Sequence, residues 1–202
     1  MKLWAILLAT LALCSCSGSI LPKPAPPPQL YHLTALAPAQ NAGPPIELQL
    51  AVDEPAAPAS LDVDRIALTQ SELRLDYFAN AAWGDRAPAM IQSLIVASLT
   101  DAGRIRVVMR STGELRPDAT LAIDLQRFDA EYHGGGAPEV HVRLVCRLVH
   151  DRNAVAVRTF SGTAQAGRND TADIVAAFDA AMHDVLGALV PWTADELAAM
   201  KR

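Results

Sequence analysis

Two cysteines stand one residue apart in LLATLALCSCSG, Leu7 to Gly18, and thiols at that spacing can hold a metal, exchange a disulfide or accept a lipid. A CxC pair supplies two thiolates where a closed zinc site takes four ligands, and the remaining cysteine, Cys146, is far along the chain. Cys146 lies in EVHVRLVCRLVH, where Val140, Val142, Leu144, Cys146 and Leu148 share one face at a period of two. A thiol in such a row is expected to be a small core residue. Glu139, His141, Arg143 and Arg147 mark the other face, and Val145 and Val149 on it suggest partial cover. The histidines are scattered: His133 precedes Gly134–Gly136, His141 and His150 fall on opposite faces of an ideal strand, and His183 sits toward the polar side of the last apolar segment. HExxH, GxSxG and CxxC patterns do not occur, and the glycine triplet lacks the Lys-Ser/Thr of a phosphate loop. No catalytic set, no metal site and no cofactor are therefore expected. The enzyme alternative is a secreted hydrolase whose Ser, His and Asp meet only in the folded chain.

The residues before the cysteine pair bear on its role. Lys2 gives a positive start, and Leu3 to Leu13 is apolar apart from Thr10, the pattern of a secretory leader. The run is shorter than the roughly 20 residues that cross a bilayer. Leu13-Cys14-Ser15-Cys16 resembles a bacterial lipobox, with Leu at the third position before the cysteine and a small residue directly before it. In this reading residues 1–15 are the signal peptide and Cys16 is the lipidated residue. Two or more acyl chains hold a protein durably where one does not. Plain secretion is the alternative. Ser17 stands where Asp would be the usual signal for inner-membrane retention, so the resemblance favours the outer membrane. From Pro22 to Pro28 there are five prolines in seven residues, which excludes a helix or central strand and makes residues 16–29 an extended tether.

Removing residues 1–15 takes away Lys2 alone among charged residues. It leaves 16 basic against 22 acidic residues, a formal charge of −6. That surface does not invite nucleic acid, which needs a basic footprint. Residues 30–202 suffice for one core. Strand patterns occur near 30–33, at 46–52, 65–70 and 72–78, in IRVVM, and in TLAIDLQRFDAEY, whose change of phase predicts a bulge near Gln126 or Arg127. Asp151-Arg152-Asn153 predicts a tight hairpin. One helix is expected from a cap at or near Asp85, with Pro88 in its first turn, to Gly103; its stripe is Met90, Ile91, Leu94, Ile95 and Leu99. A second starts at the Asp170 cap and carries Ile174, Phe178, Ala181, Val185 and Leu189, with Trp192 after it. The order implies a single α+β domain, a mixed, mainly antiparallel sheet with two amphipathic helices packed on one face.

The combined pattern resembles the ABC-type transport auxiliary lipoproteins, the group that includes the paraquat-inducible-system lipoprotein and other partners of MCE-domain lipid transport proteins. Tyr31-His-Leu after a proline-rich leader carries the resemblance, with LDVDRIALTQ, ELRLDYFANAAW running into the first helix, the IRVV strand, the central hairpin and the terminal helix. The Gly134–Gly136 loop and the DEPAAPASLDVD entry depart from it. The resemblance implies a non-enzymatic lipoprotein on the periplasmic face of the outer membrane, anchored there by lipid. Its partners would be an MCE-domain protein and an ABC permease/ATPase complex moving phospholipid or another lipid between membranes. It makes Tyr77, Phe78 and Trp83 candidate partner contacts, although the same aromatics can pack helix against sheet. A periplasmic lipid-binding or lipopolysaccharide-assembly accessory is the rival binding role.

Overall fold

The computed structural model of the chain describes residues 27–37, 43–71, 73–111 and 116–200. The leader, Cys14, Cys16 and most of the tether lie outside the described residues. The elements run β1 (Gln29–Tyr31), β2 (Ile46–Val52), β3 (Arg65–Ser71), β4 (Arg74–Trp83), α1 (Ala87–Asp101), β5 (Ile105–Arg110), β6 (Ala119–Glu131), β7 (Glu139–His150), β8 (Asn153–Gln165) and α2 (Thr171–Met200).

Strand β6 organises the sheet. Along one edge it pairs antiparallel with β7, which continues antiparallel to β8. Its other edge is divided: Ala119–Leu121 pairs with β2, Asp124 bridges Ala56, and Ala130–Glu131 pairs with β3. The sheet thus forks into one wing of β2 and β5 and another of β3, β4 and β1. The long pairings are antiparallel, whereas the contacts of β2 and β1 are parallel. This is the expected α+β domain with a mixed sheet.

The expected bulge falls between Leu125 and Arg127. It restores phase, so Leu121, Ile123, Leu125, Phe128 and Ala130 all reach the same core as Val140, Val142, Leu144, Cys146 and Leu148. The β7–β8 hairpin turns through Asp151 and Arg152, both at positive φ (46° and 66°), which is the type I′ geometry that matches strand twist. Both helices cover this one apolar face. Met90, Ile91, Leu94, Ile95 and Leu99 of α1 and Ile174, Phe178, Ala181, Val185 and Leu189 of α2 are buried as expected. By length and composition α2 could cross a membrane, yet here its apolar stripe fills the core. Where β8 passes under α2, Gly162 allows contact between backbones; a Cβ there would stand 2.0 Å from the Ala181 carbonyl oxygen.

Two expectations are corrected and one is narrowed. The cap of α1 falls near Asp85 as expected, but on Arg86, and Asp85 Oδ1 accepts a hydrogen bond from the Arg86 N–H. Arg86 is drawn instead into ion pairs with Glu54 and Asp62. The terminal helix does not stop before Trp192 but continues through Pro191 to Met200. An internal proline costs about 3 kcal/mol, but the extension buries Trp192 and Leu197, each worth roughly 1.5–3 kcal/mol. Trp192 packs edge-on against Phe160 at 5.3 Å. Finally, the 72–78 strand, whose sequence alternates Leu73, Leu75 and Tyr77 against Glu72, Arg74 and Asp76, does not carry that apolar row into the core. Leu73 is 99% exposed and Leu75 39%, because β4 jumps register between Tyr77 and Ala82, with Asn80 at φ 58°. Only beyond that jump do Ala81, Ala82 and Trp83 turn inward.

Candidate functional site

Among the described residues no helix covers the second face of the sheet, and the polar residues of β6 and β7 collect there. Arg127, set by the bulge, donates to Asp129 Oδ1 (2.9 Å) and Oδ2 (3.3 Å) and pairs with Glu131. Asp129 is buried, so this guanidinium is its charge partner. The hydrogen bond from Arg127 holds the Glu131 carboxyl below the usual carboxylate range. Further along, Arg147 makes a bidentate pair with Asp124 (2.6 and 3.2 Å) and Arg143 donates to Gln126. Val145 and Val149 are half-buried on this face. At the other end, Glu131 stands directly opposite Glu139, and His141 lies beside both. Pro58, Ser60, Leu61, Thr69 and Leu75 rim a cleft of about 530 Å³ whose floor includes Arg127, Asp129 and Glu131.

Strand β4 forms the margin of that cleft. Its inner half, Ala81–Trp83, pairs with β1, whereas Arg74–Asn80 has no strand on its outer edge among the described residues. This free edge carries Leu73, Leu75 and Tyr77 on one side. Unpaired backbone flanked by exposed apolar side chains is a template for an added strand. Tyr77 is half-buried, donates its hydroxyl proton to the Ser60 carbonyl (3.0 Å) and lies under the Arg65 guanidinium at 3.8 Å. Phe78 is half-buried beside Tyr132, ring centroids 6.5 Å apart. Trp83 is 1% exposed and packs with Phe128 (5.4 Å) and Phe178 (5.2 Å), joining β4, β6 and α2. It packs helix against sheet and offers almost no surface, so the accessible part of the aromatic strand end is Tyr77 and Phe78.

Cys146 is fully buried, and burial pushes its thiol up to about 12, far from a reactive thiolate. His150 contacts the Asp118 carbonyl and lies apart from His141, as their opposite faces require. The structure brings together a group that sequence reading missed: Glu131, His133 and His141 offer ligand atoms within 4.8 Å of one another. The pairing of β6 with β7 across the glycine loop closes that distance, and spacing along one strand carries no sign of it. The chain entering the domain is also fixed. Thr34 donates its backbone N–H to Asp179 (2.7 Å), and Leu36 donates its own to Ser98 Oγ (3.0 Å), strapping the segment across both helices.

Comparison with known proteins agrees with this architecture. The family model for the ABC-type transport auxiliary lipoprotein component matches residues 31–190, and the chain belongs to that family. A crystal structure of a Xanthomonas campestris protein of family DUF330 superposes with TM-score 0.79 at 32% identity, covering 86% of this chain and 98% of that one. An uncharacterized protein of known structure shares the fold with TM-score 0.63 at 16% identity, covering 83% and 99% of the two chains. An uncharacterized Bradyrhizobium diazoefficiens protein is 30% identical over 159 residues, 76% of this chain. The chain spans 42% of that relative's length.

Proposed function

We propose that this auxiliary lipoprotein is anchored through Cys16 to the periplasmic face of the outer membrane. There it serves, without enzymatic activity, an ABC-type, MCE-linked system that moves lipid across the envelope. The family match over residues 31–190 carries this reading, because an auxiliary component acts by association. The free edge of β4 with exposed Leu73 and Leu75 and half-buried Tyr77 supports it as a docking margin, with Phe78 beside it. A partner strand laid along Arg74–Asn80 would gain main-chain hydrogen bonds, while the leucines would supply apolar contact. The proline-rich tether would extend about 35–40 Å at roughly 3 Å per residue. The strap from Thr34 to Asp179 and from Leu36 to Ser98 would hand that reach to the two helices rather than to the docking edge.

The experiment is a photo-crosslink from position 78 in intact envelopes, read by mass spectrometry, with Cys16→Ser in parallel. Capture of an MCE-domain protein with its permease or ATPase, weakened in the unanchored variant, is the expected outcome. Stoichiometric bound lipid without such a partner would favour the lipid-binding accessory. Hydrolysis abolished by one polar substitution that leaves folding intact would overturn the non-enzymatic reading.

A further inference from the structure

At the loop end of the β6–β7 hairpin two carboxylates face each other. Glu131 and Glu139 are direct cross-strand partners, and like charges in that relation destabilise a sheet unless a cation lies between them. His141 Nε2 sits in that space, 3.3 Å from Glu131 Oε2 and 3.3 Å from Glu139 Oε2. Despite these distances the buried nitrogen has no hydrogen-bond partner, because neither carboxylate meets it in hydrogen-bonding geometry. His133, two residues beyond Glu131, brings Nδ1 to 4.0 Å from Glu131 Oε1. Arg127 occupies Glu131 Oε2 and leaves Oε1 free on the His133 side.

We propose that Glu131, His133, His141 and Glu139 form a binding site for a divalent transition metal of the zinc class. Two imidazoles and two carboxylates are a donor set that zinc accepts in tetrahedral geometry. Metal–ligand bonds of about 2.0–2.1 Å place tetrahedral donors roughly 3.3 Å apart, the separation already found from His141 Nε2 to Glu139 Oε2 and to Glu131 Oε2, the oxygen that also accepts from Arg127. The unpartnered imidazole nitrogen would then present its lone pair to the ion. Arg127 would act as the outer partner that orients a ligating carboxylate. His133 has the furthest to travel; its side chain is 64% exposed and can swing inward on the chain that leads to Gly134. A bound ion would neutralise the Glu131–Glu139 repulsion and staple both ends of the 132–138 loop. It would act as a structural clamp, since four protein donors leave no open position.

The test uses tag-free, full-length protein stripped with chelator and titrated with Zn²⁺ by calorimetry and with Co²⁺ by visible absorption. One equivalent should bind, Co²⁺ should give the intense visible bands of tetrahedral coordination, and a hundredfold excess of Zn²⁺ over its Kd should raise Tm by roughly 5–10 °C. His133→Ala changes an exposed side chain, so it should fold normally and yet bind roughly tenfold or more weakly. His141→Ala and Glu139→Gln should also weaken binding and alter the Co²⁺ spectrum. Absence of binding at micromolar Zn²⁺, an octahedral Co²⁺ spectrum, or affinity unchanged in both His133→Ala and His141→Ala would each overturn the site.

Discussion

The two faces of β6 and β7 are built by the same 25 residues and behave as different materials. Toward the helices, Leu121, Ile123, Leu125, Val142, Leu144 and Cys146 are buried side by side in one core. Toward the open side, Arg127, Asp129, Glu131 and His141 form a charged ladder broken by the Gln126 bulge. Period-2 alternation separates the two, and the bulge keeps the separation intact over 13 residues of β6. One face holds the fold through apolar area, and the other is free to carry charge, a cleft and a docking margin. Substitutions on the helix-covered face should therefore change stability, and those on the open face should change acid response or association.

The largest effect is expected at Gly162. A valine Cβ would collide with the Ala181 carbonyl oxygen, so Gly162→Val must separate β8 from α2. A loss above about 4 kcal/mol, seen as failure to fold or a collapse of the denaturation midpoint, is the expected result. A soluble variant with native Tm would show that the two layers are not in contact there. Cys146→Ser is the milder probe of the same face. Burying a hydroxyl in place of the thiol should cost about 1–3 kcal/mol, and the wild-type thiol should react with a thiol reagent only after denaturation. Rapid labelling of the native protein would place Cys146 on the wrong face.

Much of this contrast was legible in the sequence. The alternation around Cys146 and Leu121, the bulge at Gln126, the Asp151 hairpin and the helix stripes each depend on residues close in the chain. Where tertiary contacts overrode local pattern, the reading failed. Leu73 and Leu75 alternate like core residues, but the register jump before Ala82 leaves them outside. The stripe ending at Leu189 places Trp192 after the helix, but burial of Trp192 and Leu197 carries the helix on to Met200. The close approach at Gly162 went unread because its partner Ala181 lies on another element. The Glu131–His133–His141 group was invisible because its members meet only across the hairpin.

On the open face, Arg127→Ala should cost about 1–2 kcal/mol at neutral pH, since it leaves buried Asp129 without its partner. The pH dependence has a definite sign. Glu131 has a folded pKa below its unfolded value because Arg127 hydrogen-bonds its charged form. Its contribution is present above the unfolded value of about 4.3 and is lost as pH falls through the lower folded value. The Tm gap between wild type and Arg127→Ala should therefore narrow from pH 6 to pH 3. A gap that stays constant or widens on acidification would remove the ladder's electrostatic role.

The smallest stability effect, and the sharpest separation of the two faces, is expected at Leu73. Its side chain is 99% exposed, so Leu73→Ser removes almost no buried apolar area and should shift stability by less than about 0.5 kcal/mol. The same change made at Leu121, fully buried and in line with Leu148, would expose the core to a hydroxyl and cost several-fold more. If the free edge of β4 is a docking margin, Leu73→Ser combined with Leu75→Ser should leave the thermal unfolding curve in place yet reduce crosslinking from position 78. Loss of stability without loss of crosslinking would mean that these leucines pack within the domain in solution. Unchanged values of both would move the docking surface away from β4 and toward the charged ladder, where charge reversal at Arg143, exposed and, among the described residues, bonded to Gln126 alone, becomes the next discriminating substitution.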